Sequence, residues 1–276
     1  MDRIRLIASD MDATLLDEQS QLPADFEETI HALAELGIRF APASGRPLYT
    51  LEAMFPTLQD ELVFIGDNGG AIRWKGQNLF TSEMSPEGWR ALNRLTREQG
   101  DIAVLCGLES AYVERSFAVH DAVLRHFYTK IEYVDRLEDV TAPADKFTIY
   151  LPQHNAQQAY DTVYASQRSI YSVAVAGECW VDIMNPGVHK GAALQTLGQL
   201  WGLPSESMMA FGDTYNDAEM LRTAKYGFLM ENGSVPLRQK VPFLAPSHRE
   251  AGVMQVLHRV LAQNGCVCPE DFVPAH

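Results

Sequence analysis

Cysteine is scarce in this chain, with four in 276 residues, at positions 106, 179, 266 and 268. No two are spaced as a zinc ribbon requires. That argues against a disulfide-built scaffold, and the thiols are expected to be reduced. Cys266-Val267-Cys268 is a close pair, but a lone Cys-x-Cys specifies neither metal nor redox chemistry. Long apolar runs are missing too: a charge or a proline breaks every hydrophobic stretch before the roughly 20 residues that a spanning helix needs. No basic, apolar and cleavage-site succession opens the sequence, so a cytoplasmic location is expected. Basic residues are few, 22 Lys and Arg against 36 Asp and Glu, for a formal charge of −14. This balance argues against a nucleic-acid partner and against an anionic membrane surface. It would also repel a phosphorylated small molecule, so a site for one requires local positive charge.

What is present is an ordinary globular composition, 46% hydrophobic and 21% charged, in a chain long enough for one large or two modest domains. Arg3 to Ser9 reads as a buried strand, 26–36 as an amphipathic helix stopped by Gly37, Ile38 to Ala41 as a second strand, and Leu62 to Ile65 as a third. Strands and helices alternating on short connections predict a parallel, right-handed α/β sheet. After residue 71 the rhythm changes to a hairpin around Lys75-Gly76-Gln77, a helix opened by Ser85-Pro86, and several strands with two or three helices. The α/β rhythm returns at Pro186. The expected architecture is therefore a core of 1–82 plus 186–276 carrying an inserted α+β segment, 83–185.

Asp10 and Asp12 end the first strand, where an open α/β sheet places its ligand crevice. Two acids so close repel each other unless a cation sits between them, and a hard cation such as Mg²⁺ takes such oxygens. Gly212-Asp213-Thr214-Tyr215-Asn216-Asp217 follows the strand 208–211 and adds Asp213 and Asp217. The alternative reading makes these two acids helix caps. Ser44-Gly45-Arg46 ends the second strand with a hydroxyl and backbone N–H groups that suit a phosphate oxygen, although Ser-Gly is also ordinary turn chemistry. Lys190 opens a helix, where a cation opposes the macrodipole unless an anion binds there; an ordinary exposed lysine is the alternative. Asn68, at the third strand end, is a candidate substrate or supporting contact, or a turn former. Arg46 either meets substrate or locks its turn.

Taken in order, Asp-x-Asp-x-Thr, Ser-Gly-Arg, a lone Lys at a helix start and Gly-Asp-x-x-Asn-Asp resemble the haloacid dehalogenase superfamily. The insert after the third strand is similar to that of its large-capped Cof-type phosphatases. Val188-His189-Lys190-Gly191-Ala192-Ala193-Leu194 resembles the subgroup's Gly-Val-Ser-Lys-Gly-x-Ala-Leu, with His189 in place of Ser. The resemblance implies a Rossmann-like core with an α+β cap, and a Mg²⁺-dependent phosphatase acting on a small phosphorylated metabolite. It casts Asp10 as nucleophile and Asp12 as general acid and base. It gives Mg²⁺ to Asp10, Asp213 and the Asp12 carbonyl, and the phosphoryl oxygens to Ser44, Gly45, Lys190 and Asn216. Asp217 supports the metal or Lys190. A phosphosugar mutase of the same superfamily and a non-catalytic ligand-binding protein on the same fold are the alternatives.

Two positions depart from the family pattern. Ala13 stands where Gly is usual, at a point whose backbone conformation favours Gly. Glu231-Asn232-Gly233 replaces the more frequent Gly-Asn-Ala, which is expected to affect a loop rather than chemistry. His120, His126 and His154 read as surface or core histidines, and Tyr112, Phe117, Phe127, Tyr128 and Trp180 mostly as the core of the insert.

Overall fold

A computed structural model describes residues 1–276. The chain opens with β1 (Asp2–Arg3), β2 (Leu6–Asp10), α1 (Phe26–Glu35), β3 (Arg39–Ala43), α2 (Leu48–Ala53), β4 (Val63–Gly66), β5 (Ala71–Trp74) and β6 (Gln77–Thr81). It continues through α3 (Pro86–Gln99), β7 (Ile102–Gly107), β8 (Ala111–Glu114), α4 (Asp121–Phe127), β9 (Ile131–Val134), β10 (Ala144–Tyr150), α5 (Ala156–Thr162), β11 (Ser172–Val175) and β12 (Trp180–Met184). It closes with α6 (Lys190–Trp201), β13 (Met208–Gly212), α7 (Ala218–Thr223), β14 (Tyr226–Met230), β15 (Phe243–Ala245), α8 (Gly252–Ala262), β16 (Cys266–Val267) and β17 (Val273–Pro274).

Local signals in the sequence explain the boundaries. Ser85 caps α3 by accepting from the Gly88 N–H at 3.1 Å, Pro86 takes the first helical position, and Gly100 ends the helix at φ 76°. Lys75 and Gly76 both have positive φ, which lets the two-residue turn follow the twist of the β5–β6 hairpin.

Nine strands form one sheet in the order β17-β15-β14-β13-β2-β3-β4-β5-β6. The contacts from β15 through β4 are parallel, and antiparallel strands close both edges. Parallel strands covered on both faces read as continuous apolar runs, and β2 is buried at every residue. Its side chains alternate between two cores. Ile7 and Met11 join Phe26, Leu51 and Val253, beneath α1, α2 and α8. Leu6 and Ala8 join Leu194, Leu197 and Leu221, beneath α6 and α7. The chain extends the sheet from β2 through β3 to β4 and, on its return, from β13 outward in the other direction. The switch point, where such sheets bind ligands, therefore lies between β2 and β13.

A second sheet, β11-β12-β10-β7-β8-β9, carries α3 and α5 on one face around Trp89, Phe147 and Tyr164. Its other face gathers Val104, Leu124, Tyr128, Tyr150 and Trp180. The two chain crossings between the sheets lie side by side. The Asn185 side-chain amide donates to Ser82 O, Ser82 Oγ and Glu83 O at 3.2, 3.1 and 2.8 Å. Arg73, buried beside β4, reaches Glu109 of the second sheet's β7–β8 turn at 2.7 Å.

The C-terminal tail, which has little pattern of its own, is ordered by pairing. β16 joins β1, and β17 covers the edge of β15. All four cysteines are free thiols. No helix is long and apolar enough to cross a membrane.

Candidate active site

Four neighbouring strands of the large sheet deliver the site from their carboxyl ends. β2 ends on Asp10, β3 leads into Ser44, β4 leads into Asp67 and Asn68, and β13 leads into Asp213. Asp10, Asp213 and Asp217 each offer a carboxylate oxygen within 4.8 Å of the others. A single ammonium stands among them. Lys190, wholly buried at the first turn of α6, donates to Asp10 Oδ1 and, at 2.7 Å, to Asp217 Oδ1. The exposed-lysine reading of Lys190 is thus excluded. His189 serves where Ser is usual: its Nδ1 accepts the Ala192 N–H at 3.1 Å and caps α6.

Asp217 fulfils both of its sequence readings. Its Oδ2 accepts the backbone N–H groups of Asp213 and Thr214 at 3.0 and 3.2 Å, completing a capping box, while Oδ1 holds Lys190. This fit needs Gly212, because a Cβ there would lie 2.4 Å from that of Asp217. Asp213 lies outside the cap and leaves its carboxylate beside that of Asp10.

Charge is out of balance at this point. Burial first, then the Asp217 charge, pushes the Asp10 carboxyl up to about 8 against the opposing pull of Lys190. Burial and Asp217 likewise push Asp213 up to about 7. Lys190 stays charged: burial opposes it, but Asp10 and Asp217 outweigh burial and hold it above the usual lysine range. Both oxygens of Asp217 are engaged, so Asp10 and Asp213 present the free oxygen donors. A hard, oxygen-seeking divalent cation fits this donor set.

Asp12 points to the mouth of the site. Its carboxylate accepts from Arg46 Nη2 at 3.0 and 3.2 Å, and its side chain is 57% exposed. Arg46 does not choose between its two sequence readings: besides holding Asp12, it donates its backbone N–H to Ser44 Oγ at 3.1 Å and so ties the 44–46 turn. Asn216 lies beside the loop, its Oδ1 accepting from the Thr214 hydroxyl at 2.6 Å.

Asp10, Asp12, Ser44, Gly45, Asp213 and Asn216 line one cavity of about 590 Å³. Lys190 stands behind Asp10 and has no exposed surface. The opposite wall belongs to the second sheet. Of the aromatics read as insert core, Phe127, Tyr128 and Trp180 line this wall, as do Lys146 and Asp182. Sequence reasoning missed the last two. Their signal was a charge inside a strand that is otherwise buried throughout, Lys146 in β10 and Asp182 in β12. Asn68, at φ 55°, donates from Nδ2 to Asp182 Oδ2 at 3.0 Å and so links the two sheets.

The loop 231–233, read from the sequence as a matter of loop structure rather than chemistry, packs against the stretch that follows Asp12. Asn232 Nδ2 donates to the Ala13 carbonyl at 2.8 Å, and Asn232 Oδ1 accepts the His248 N–H at 3.0 Å. Ala13 itself sits at φ 58°, ψ 15°, in the left-handed region.

The chain as a whole is similar to known proteins. A family model for haloacid dehalogenase-like hydrolases covers residues 7–257, and the chain belongs to that family. It is 32% identical over 262 residues to 5-amino-6-(5-phospho-D-ribitylamino)uracil phosphatase YbjI of Escherichia coli strain K12, with 94% of this chain and 96% of that protein covered. It is 31% identical over 249 residues to the HMP-PP phosphatase of Cronobacter sakazakii, covering 87% and 89%. Among solved structures, SMU.1108c from Streptococcus mutans UA159 superposes with a TM-score of 0.83 at 29% identity, covering 94% of this chain and 99% of that one. The chain is a phosphatase of this family.

A left-handed conformation costs an alanine about 1 kcal/mol. Ala13→Gly is therefore expected to raise unfolding stability by up to about 1 kcal/mol, less the added entropy of the unfolded chain. Urea denaturation checks this, and a loss of stability would show that Ala13 is unstrained.

Proposed function

We propose that this phosphatase hydrolyses a small phosphorylated metabolite through an aspartyl-phosphate on Asp10, with Mg²⁺ as cofactor. The observation that carries the reading is the Asp10 carboxylate at the sheet's switch point, gripped by buried Lys190, beside Asp213, at one end of a cavity walled on the other side by aromatics. Asp10 and Asp213 would hold the cation through carboxylates, with the Asp12 carbonyl as a further ligand and Asp217 in support. When bound, the cation supplies positive charge that offsets the repulsion between an anionic carboxylate and an anionic ester.

The chain's own residues account for the remaining steps. An Asp10 oxygen attacks phosphorus while Ser44, the Gly45 N–H and Asn216 orient the phosphoryl oxygens, and Lys190 neutralises the Asp10 side. Positioning and charge stabilisation of this kind carry most of the catalysis in phosphoryl transfer. The P–O bond to the leaving group breaks, and its oxygen takes the proton from Asp12. Asp12, now a carboxylate, then removes a proton from water as that water attacks the aspartyl-phosphate, releasing phosphate and restoring Asp10. Arg46 holds the ionised Asp12 at the cavity mouth, so Asp12 turns from Arg46 and takes up a proton before it acts as the acid. The wall of Phe127 and Trp180, whose ring centroids lie 5.0 Å apart, suits a leaving group with a flat face. The relative named for a ribitylaminouracil phosphate supports that choice over a bare sugar.

Four interventions test this reading. Asp10→Asn abolishes release of p-nitrophenol from p-nitrophenyl phosphate with an unchanged circular dichroism spectrum, and EDTA silences the wild type until Mg²⁺ is restored; full activity in either case refutes the mechanism. Asp12→Ala slows an alkyl phosphate by about 100-fold or more. With p-nitrophenyl phosphate, whose leaving group needs no proton, it accumulates acid-stable phosphoprotein, and equal losses in the first step for both esters would count against Asp12 as the acid. Trp180→Ala raises KM about tenfold for a ring-bearing phosphate, from about 1–1.5 kcal/mol of lost aromatic contact. It leaves glycerol phosphate nearly unaffected, and the reverse order in steady-state kinetics would refute the flat-faced substrate.

A further inference from the structure

The Ser44-Gly45-Arg46 turn is anchored from one side by all three of its carbonyls. Ser44 O accepts the Asn68 N–H and Arg46 O accepts the Asp67 N–H, both at 2.9 Å. Both donors have positive φ, 50° for Asp67 and 55° for Asn68, a conformation that non-glycine residues adopt only where the surroundings hold them. The third carbonyl, Gly45 O, is taken by a different part of the molecule. Lys146, on β10 of the second sheet, donates to it from Nζ at 2.6 Å. That ammonium is almost wholly buried, with Asp67 Oδ1 at 3.0 Å and Asp182 Oδ2 at 3.7 Å. Asp182 is fixed in turn by the Thr148 hydroxyl at 2.8 Å and by Asn68. A β-bulge between Ala144 and Lys146 shifts the register of β10 against β7 just before the lysine, which itself stays paired in the sheet. Bulges of this kind re-aim side chains beside functional sites.

A planar trans peptide transmits such a hold. Fixing Gly45 C=O fixes the Arg46 N–H on the other side of the same peptide, and that N–H donates to Ser44 Oγ at 3.1 Å. A hydroxyl whose oxygen already accepts one bond directs its own proton elsewhere. In this turn that leaves the Ser44 proton for a phosphoryl oxygen.

Building on the phosphatase reading above, we infer that Lys146 is a positioning residue for the phosphate-binding turn. It reaches from the insert to the Gly45 carbonyl and orients the Ser44 hydroxyl through the Gly45–Arg46 peptide. The turn is thereby complete only while the insert is docked on the core. Phosphate binding and insert docking are then coupled without any contact between Lys146 and the phosphate.

The test compares wild type with Lys146→Met on p-nitrophenyl phosphate and on glycerol 2-phosphate, together with inhibition by inorganic phosphate, in both the Ser44 and the Ser44→Ala background. The inference expects kcat/KM to fall about 10- to 100-fold, by a similar factor for both esters. Phosphate inhibition weakens in parallel, and the loss shrinks to under about threefold once Ser44 is Ala. A loss that depends on the ester while phosphate inhibition is unchanged overturns it, because Lys146 would then be touching the leaving group. An undiminished loss in the Ser44→Ala background overturns it as well. Lys146→Met/Asp67→Asn removes the nearer of the two carboxylates that methionine would leave without the ammonium, Asp182 keeping its bonds from Asn68 and Thr148, and Asn tolerates the left-handed backbone there. That variant should keep the same loss at near wild-type Tm, and recovered activity in it would overturn the inference. Turnover by Lys146→Met at the wild-type rate refutes the inference alone, whereas a wild type that cleaves no phosphate ester refutes the phosphatase reading beneath it.

Discussion

One buried ammonium among three carboxylates is the interaction on which the site depends. Lys190 has no exposed surface and begins a helix, a place where the macrodipole disfavours a cation by several tenths of a kcal/mol or more. Two direct carboxylate partners outweigh that cost. Breaking such a buried group by removing one partner is severe, because the survivor is left charged and dry. The surrounding sequence is built around this point. Gly212 makes room for Asp217, Asp217 caps its own helix while steadying Lys190, and His189 caps the helix that carries Lys190. Structural and chemical demands fall on the same atoms, and what remains unbalanced is negative charge on Asp10 and Asp213. That surplus fits a hard cation, in a protein whose overall charge is already −14.

Much of this was legible in the sequence, for a physical reason. Parallel strands buried on both faces write themselves as apolar runs, and acids at the ends of such runs stand out because nothing about packing asks for them. Asp10, Ser44 and Asp213 could therefore be placed at strand ends, and Lys190 at a helix start, before any coordinates. Ser85-Pro86 and Gly100 marked a helix by its caps. The resemblance read from the sequence rests on the order of these signals along the chain, which no single motif carries, and the family model over residues 7–257 establishes the family.

What was not legible depends on contacts between segments far apart in sequence. Lys146 and Asp182 sit in strands of the insert, and their partners Gly45, Asp67 and Asn68 belong to the core, about a hundred positions away. A charge in a buried strand signals that a partner exists but not where it is. The same applies to Asn232, whose bond to Ala13 turns an unremarkable loop into a support for the loop that follows Asp10. The tail beyond residue 265 had no pattern because its order comes from pairing with β1 and β15 rather than from its own periodicity.

The adjacency of the two chain crossings has a kinetic consequence. Ser82 and Asn185 are bonded across a separation of 103 positions. Every contact between β13 and the strands before residue 82 spans that length of chain. If the segment between the two crossings folds first, its ends meet, and the loop that the Leu6–Met208 pairing must close shrinks from about 200 positions to about a hundred. By the logarithmic dependence of closure entropy on length, halving that loop lowers the cost of the central β2–β13 pairing by about 0.6 kcal/mol. The Asn185 clasp thus gives a chain that forms the second sheet first an advantage of about threefold or less in closing the large one.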